Sequence, residues 1–164
     1  YRLSWCPKME DGHSFDEQAG HSFFTSQSFA EAWRLISCPE RTIAQDEEMV
    51  LASLASLWHA TKMSDCSDKD LAERYWQLAT VFALVGDIAR ARRYGERSLS
   101  KSKSTGVPEI NEAYAYAALA RVEAVAGDES AYLKYREKAT AFANEKLSPY
   151  LRGEFLADLD TIKM

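Results

Sequence analysis

The chain has 164 residues, of which 46% are hydrophobic and 27% are charged, and its formal net charge is −5. These values exclude a disordered chain and favour one globular domain, while the acidic balance disfavours nucleic acid as a partner. No apolar run approaches the roughly 20 residues needed to cross a bilayer, and abundant Ala, Leu, Glu and Arg favour helix over sheet.

The N-terminal part of the chain changes character near residue 13. Residues 1–12 show no sustained hydrophobic period, so we interpret them as an arm, and we expect residues 13–164 to form a single helical-repeat domain. Helical spacing of apolar residues predicts a first helix over about 14–37, although the polar run at 26–28 could divide it into two. Pro39 ends this region, because proline disfavours the helical conformation of the residue before it.

Two capping signals define the next helices. A second helix is predicted from Thr42, whose hydroxyl can cap it, to about Lys62. Ser67 and Asp70 have the spacing of a capping box, which predicts the start of a third helix.

From residue 71 onwards the chain contains two copies of one pattern, over 71–102 and 109–144. Gly86-Asp87 in the first copy and Gly127-Asp128 in the second are offset by 41 residues. Each glycine suits the end of one helix and each aspartate can cap the next, so both copies predict a helical hairpin. A single hairpin of this kind cannot bury its apolar face alone, and two in succession therefore predict stacking.

The last predicted helix spans 148–162. Ser148 can cap it, and Pro149 suits its first position. We interpret it as a capping helix that closes the end of the stack, since a terminal element must have one face in water. The chain is therefore expected to contain seven helices, or eight if the first is divided.

Six residues of the first copy have the spacing of the tetratricopeptide-repeat consensus, which the copy therefore resembles: Tyr75, Leu78, Ala79, Phe82, Gly86 and Ala91. The second copy departs from that pattern, with Glu123 in the place of Phe82 and Tyr132 in the place of Ala91. The offset of 41 residues also exceeds the family's period of about 34 residues. The resemblance implies an all-α fold, a right-handed stack of antiparallel helix pairs that forms an α-solenoid.

A longer pattern resembles an uncharacterised group of bacterial helical-repeat proteins. It includes YWQLATVFALVGD and EAYAYAALARVEAVAGD and covers most of the chain after His21. This second resemblance implies no catalytic residues.

Tetratricopeptide modules usually bind peptides or other proteins in the groove lined by the first helix of each pair. The resemblance therefore implies a protein-interaction or assembly module rather than an enzyme, with no cofactor and no metal. The expected partner-binding residues point away from the paired helix: Glu73, Trp76, Thr80, Tyr114, Ala117 and Arg121. Trp76 and Tyr114 could supply aromatic anchors and Arg121 a group for a carboxylate, unless the aromatic side chains simply pack in the core.

Histidines and acids suggest an alternative function. His21 with Glu17, and His59 with Asp46 or Glu47 from the next helix, could form a carboxylate–imidazole metal site. Such a site would serve a small metal-dependent or ligand-modifying enzyme. No close ligand spacing supports it, so structural or surface histidines are the preferred interpretation.

A second alternative is self-association through the N-terminal helices. This homo-oligomer would use the aromatic side chains of Phe23, Phe24, Phe29 and Trp33.

A basic row and three cysteines complete the polar features. The row consists of Arg90, Arg93, Arg97 and Lys101, with Lys103 in the loop beyond. We interpret it as a solvated face, since no aromatic residues interleave with the charges as base stacking would require.

Cys6, Cys38 and Cys66 lie far apart without a Cys-x-x-Cys pair, which favours reduced thiols in a cytoplasmic protein.

Overall fold

Seven α-helices and no strands make up the part of the chain that the computed structural model describes, residues 16–164. They are α1 Glu17–Ile36, α2 Ile43–Ala60, α3 Asp68–Leu84, α4 Ile88–Ser102, α5 Glu109–Ala126, α6 Glu129–Lys146 and α7 Pro149–Asp160. The all-α class and the count of seven are thus confirmed for these residues, and the polar run at 26–28 does not divide α1. The arm predicted for residues 1–12 lies outside the described residues.

Five of the helices, α2, α3, α4, α6 and α7, begin at caps that the sequence predicts. Thr42 forms a capping box with Gln45, and Ser67 forms one with Asp70. Three further side chains accept a hydrogen bond from a backbone amide in the first turn: Asp87 of α4, Asp128 of α6 and Ser148 of α7. Each cap satisfies an amide that would otherwise have no partner in the helix.

Two glycines reverse the chain inside the hairpins. Gly86 and Gly127 have φ angles of +80° and +74°, in the left-handed region that residues with a Cβ avoid. Both positions follow the last turn of a first helix, so the paired helix can return antiparallel to it.

Helices that are neighbours in sequence pack in pairs, α1 with α2, α3 with α4, and α5 with α6. The first helices of the pairs also contact one another, because α3 packs against both α1 and α5, while α7 packs against α5 and α6. None of α1–α7 combines the length and the apolar character that crossing a membrane requires.

The central helices are α3 and α5. Residues 77–83 of α3 are buried without interruption, as are residues 117–120 of α5. A helix that is buried on every face must have neighbours on every side, which fits the position of α3 and α5 in the middle of the packing.

The two departures from the repeat pattern have structural explanations. Glu123 is 3% exposed, and the Arg92 guanidinium donates to its two carboxylate oxygens at 2.7 and 2.5 Å. The Tyr132 hydroxyl donates to the Ile162 carbonyl at 3.0 Å, which ties α6 to the segment after α7. An ion pair and a long-range hydrogen bond therefore take the place of the apolar contacts made in the first copy.

Candidate binding site on the inner face

A continuous row of aromatic rings crosses the first helices of the three pairs and ends on α7. We call it the aromatic row, and its members are Phe29 and Trp33 of α1, Trp76 of α3, Tyr114 of α5 and Phe155 of α7. Successive ring centroids along the row are 6.2, 4.8, 4.7 and 5.1 Å apart. These separations are those of favourable aromatic pairs, so the row stiffens one side of the molecule. We call that side, formed by α1, α3, α5 and α7, the inner face.

A pocket of about 320 Å³ opens on the inner face beside Trp76. Residues of α1, α3, α5 and α7 line it, including the aromatic rings of Trp33, Trp76 and Tyr114. Its volume lies at the lower end of the range of about 300–1,000 Å³ that ligand pockets occupy. The pocket has the size for a small group or for one part of a larger partner.

A second pocket of about 290 Å³ adjoins the first. It lies among Phe29 of α1, Glu73 of α3 and Ile110 of α5, and Trp76 and Tyr114 line both pockets. The two aromatic rings therefore form a shared wall between two neighbouring depressions. Such a pair of depressions can accommodate separate side chains of one extended segment.

Arg121 supplies the first pocket with a half-buried cation. Within residues 16–164 its guanidinium has neither a hydrogen-bond acceptor nor an ion-pair partner. Burial lowers the pKa of Arg121 below its ordinary value, and the nearby Asp158 carboxylate opposes this shift. Because an arginine offers five N–H donors in a fixed fork, this side chain has unused capacity to bind an anion.

The other charged group of the pocket is already engaged. Asp158 of α7 accepts a hydrogen bond from the Tyr114 hydroxyl at 2.7 Å. Burial, and then this hydrogen bond, raise the pKa of Tyr114 above its ordinary value, so the hydroxyl keeps its proton. Tyr114 thereby fixes α7 to α5 at the edge of the pocket.

All six residues predicted to bind a partner line one or both of these pockets, but they differ in what they can offer. The Thr80 hydroxyl donates to the Trp76 carbonyl at 3.2 Å, and Ala117 is 5% exposed. Glu73 lies 3.5 Å from the Lys69 ammonium and 3.9 Å from the Arg74 guanidinium. Trp76, Tyr114 and Arg121 consequently have the most interaction capacity left for a ligand.

Trp33 and Asp158 line the first pocket but are not among the six predicted residues. Trp33 belongs to the aromatic row and not, as its grouping with Phe23 and Phe24 suggested, to an outer surface. Trp33 precedes Trp76 by 43 residues, close to the repeat offset of 41, and this spacing is a signal that could have identified it. No comparable signal marks Asp158, since its helix has no counterpart in the two copies.

The structure brings together only part of the predicted histidine site. The Nδ1 atoms of His21 and His59 are 2.8 Å apart, and Glu17 Oε1 lies 3.7 Å from His21 Nε2. Asp46 and Glu47 precede His59 on α2 by 13 and 12 residues, which separates them from it by about 18–20 Å along the axis. Among the described residues no three His, Cys, Asp or Glu side chains converge as a metal cluster.

The remaining aromatic residues of α1 lie on a different surface. Phe23 and Phe24 are 58% and 46% exposed, and Trp58 of α2 is 54% exposed. Phe24 and Trp58 contact the His59 ring, and Phe23 contacts Phe24; we call these three exposed rings the terminal aromatic patch. Phe29 and Trp33, by contrast, belong to the aromatic row.

The basic row of α4 is largely neutralised. Three of its members have a carboxylate partner, Asp87 for Arg90, Asp68 for Lys101 and Glu112 for Lys103. The Arg97 guanidinium lies over the rings of Tyr75 and Tyr94.

Of the predicted thiols, Cys38 and Cys66 are free, and Cys6 lies outside the described residues.

Comparison with protein-family models, with curated proteins and with solved structures finds no match to this chain. The geometry of the inner face is therefore the basis for a functional assignment.

Proposed function

We propose that this protein is an interaction module that binds an extended peptide segment of a partner protein across the inner face. The observation that carries the proposal is the half-buried Arg121, which has no ion-pair partner among residues 16–164, in a pocket walled by Trp76 and Tyr114. In this proposal the helix pairs form a tetratricopeptide-like, right-handed stack, and the face lined by its first helices is the binding groove. The role is binding without a catalytic step, cofactor or metal.

Apolar side chains of the peptide occupy the two pockets on either side of Trp76 and Tyr114. Tryptophan, tyrosine and arginine are the residue types that most often dominate binding energy, and rigid rings lose little entropy on binding. The contacts along the aromatic row hold both rings in place before a ligand arrives. Such preorganisation lowers the cost of association.

Arg121 pairs with a carboxylate of the peptide, either an acidic side chain or the chain end. A hydrogen bond between two charged groups contributes about 1.5–3 kcal/mol, more than a neutral one, and partial burial reduces its screening by salt. Asp158 is near enough for its charge to favour the Arg121 cation, but it makes no ion-pair contact with Arg121 and accepts a hydrogen bond from Tyr114 instead. An anionic group of the peptide would supply the direct ion-pair contact that Arg121 lacks within the described residues.

The site of action proposed here is the cytoplasm. The free thiols of Cys38 and Cys66 fit a reducing compartment, where disulfides are rare.

The test is selection of ligands from a library of random-sequence peptides with free carboxyl ends, followed by calorimetry on an enriched peptide. We expect Trp76→Ala and Arg121→Gln each to weaken its binding at least tenfold, or about 1.4 kcal/mol. The matched controls are Trp58→Ala and Arg93→Gln, which change the same residue types at exposed positions and should leave the affinity within twofold.

Equal affinities in all four variants would place the binding site elsewhere and contradict the proposal. A library that yields no enriched peptide would contradict it as well.

Self-association is a second candidate function, and the exposed terminal aromatic patch favours it. Three large rings that face water together mark an interaction surface more often than isolated exposed residues do. Light scattering at increasing concentration should then show a dimer that Phe23→Ser with Phe24→Ser dissociates. A monomer at the highest concentration would exclude this candidate.

A further inference from the structure

The first pocket of the inner face presents two charges of opposite sign. The Arg121 guanidinium of α5 and the Asp158 carboxylate of α7 both line it, and they do not form a direct ion pair with each other. The two helices hold these groups apart, so the pocket carries a cation on one wall and an anion on another. A ligand can therefore meet both charges at once.

The Asp158 carboxylate retains acceptor capacity beside its contact with Tyr114. Its Oδ2 accepts from the Tyr114 hydroxyl at 2.7 Å, whereas its Oδ1 accepts no hydrogen bond from residues 16–164. An ionised carboxylate has about four lone-pair sites on its two oxygens, so one hydrogen bond leaves most of them unused. The side chain is exposed, which lets a ligand reach the remaining oxygen.

We propose that the first pocket binds a part of the peptide in which an acidic and a basic group lie within two residues of each other, the acidic group on Arg121 and the basic group on Asp158. This inference rests on the proposed peptide-binding function and specifies the chemistry of the ligand. An acidic group alone is attracted by Arg121 and repelled by Asp158, and a basic group alone meets the reverse. A segment with both charges is attracted by both residues.

The size of the pocket limits how far apart the two charges of the peptide can lie. A cube of about 320 Å³ has an edge of about 7 Å, close to the roughly 6.6–6.8 Å that separates residues i and i+2 of an extended chain. Residues at that spacing also point to the same side of the chain. An acid and a base two residues apart can thus reach Arg121 and Asp158 from one pocket.

The aromatic walls of the pocket favour the basic group as well. Rings of Trp33, Trp76 and Tyr114 line the pocket together with Asp158. A cation within about 6 Å of such a ring is attracted by its π electrons. The aliphatic stem of a lysine or arginine can pack against these rings while its charged end meets Asp158, so one side chain serves the apolar wall and the carboxylate.

The test begins with peptides enriched from the random-sequence library. They should carry Lys or Arg within two residues of an acidic side chain or of the carboxyl end more often than the unselected library does. Calorimetry then compares one such peptide with its variant in which Met replaces that basic residue. Both peptides are titrated into the unchanged chain and into Asp158→Asn, whose amide oxygen can still accept from Tyr114.

On the unchanged chain, loss of the basic residue should weaken binding about fivefold, a size typical of well-placed ion pairs that remain partly exposed. On Asp158→Asn the same replacement should change the affinity less than twofold. The peptide without the basic residue should bind Asp158→Asn more tightly than the unchanged chain, because its acidic group no longer meets a like charge. A misfolded variant cannot produce that gain.

The matched control is Glu154→Gln, which removes a charge one turn earlier on α7 and outside the pocket. This variant should keep the fivefold difference between the two peptides. Its loss in Glu154→Gln as well as in Asp158→Asn would assign the effect to the overall charge of α7 and overturn the inference.

An equal loss of affinity for both peptides in Asp158→Asn would also overturn the inference, as would enriched peptides without an excess of basic residues at those positions. Trp76→Ala and Arg121→Gln test the proposed function separately. If these two variants weaken binding while the fivefold ratio is the same with and without the Asp158 charge, binding at the inner face stands and the charge preference fails.

Discussion

Glu123 differs in chemistry from Phe82, the residue at the equivalent position of the first copy. Its carboxylate is buried and accepts both hydrogen bonds from Arg92, whose side chain is 44% exposed. Burying a charge is costly unless it is paired, so the two residues form one unit between α4 and α5. The unit lets a polar residue stand at an apolar position of the repeat.

Loss of Arg92 should cost more stability than loss of Glu123. Arg92→Ala leaves a buried carboxylate without its partner, and we expect a decrease of about 2–3 kcal/mol in the free energy of unfolding. Glu123→Met restores an apolar side chain while Arg92 can turn to solvent, so its cost should stay below about 1 kcal/mol. Urea unfolding of both variants measures the difference, and equal losses would show that the pair does not act as described.

His59 should make the protein less stable in mild acid. Its pKa in the folded chain is lowered, first by burial and then by the charge of His21, while the unfolded chain keeps the ordinary value of about 6.5. Between these two pKa values the unfolded state binds more protons, so the free energy of unfolding falls as the pH drops below about 6.5.

The check compares urea midpoints at pH 7.5 and pH 5.5 for the unchanged chain and for His59→Gln. The variant should lose less stability between the two pH values, because glutamine does not titrate. The same loss in both proteins would assign the pH dependence to other groups.

Close packing between α4 and α5 depends on Gly95. A Cβ placed on Gly95 would lie 2.7 Å from Leu119 Cδ2 and 3.1 Å from Leu119 Cγ, and Leu119 is 1% exposed. The leucine has little space to move aside, so the two helices approach as closely as they do only without that methyl group.

Alanine should therefore have opposite effects at two helical glycines. Gly95→Ala should lower the free energy of unfolding by about 1–2 kcal/mol, since overpacking outweighs the gain in helix propensity. Gly153→Ala in α7 is the matched control, because its Cβ would meet no atom within 4 Å. The control should gain about 0.5–1 kcal/mol. Thermal or urea unfolding measures the change in stability of each variant. A higher free energy of unfolding in both variants would contradict the close contact between Gly95 and Leu119.

The sequence predicts individual helices well because their ends are determined locally. Ser67 with Asp70 and Gly127 with Asp128 are signals contained within a few residues, and the structure has helix boundaries at both. Contacts between helices are harder to predict. Tyr132 stands in the place of the small Ala91, and the sequence does not indicate that it is buried with its hydroxyl on the Ile162 carbonyl beyond α7.

The inner face is a property of the whole molecule, since its residues come from helices far apart in sequence. The repeat offset of 41 residues pairs Glu73 with Tyr114 and Trp76 with Ala117, which indicates one shared face, and the structure adds Trp33 to it. The repeat offset could not indicate that α7 would contribute Asp158, because α7 lies outside the repeat and its position depends on long-range contacts. One of these joins the Arg136 guanidinium to the Leu159 carbonyl at 3.0 Å.

Docking of α7 completes the first pocket. Tyr114 and Arg136 hold it from α5 and α6, so the wall that α7 contributes depends on both neighbouring helices. A partner at this position would contact four helices at once, and its binding would stabilise their packing by mass action.

The most direct test of binding at the inner face is an NMR titration of the chain with an enriched library peptide. The indole N–H signals of the tryptophans are assigned by single Trp→Phe variants, and the Arg121 Nε–H signal by Arg121→Lys. The account predicts that the signals of Trp33, Trp76 and Arg121 shift together, while that of Trp58, on the terminal aromatic patch, does not. A shift of the Trp58 signal with the other three unchanged would contradict it.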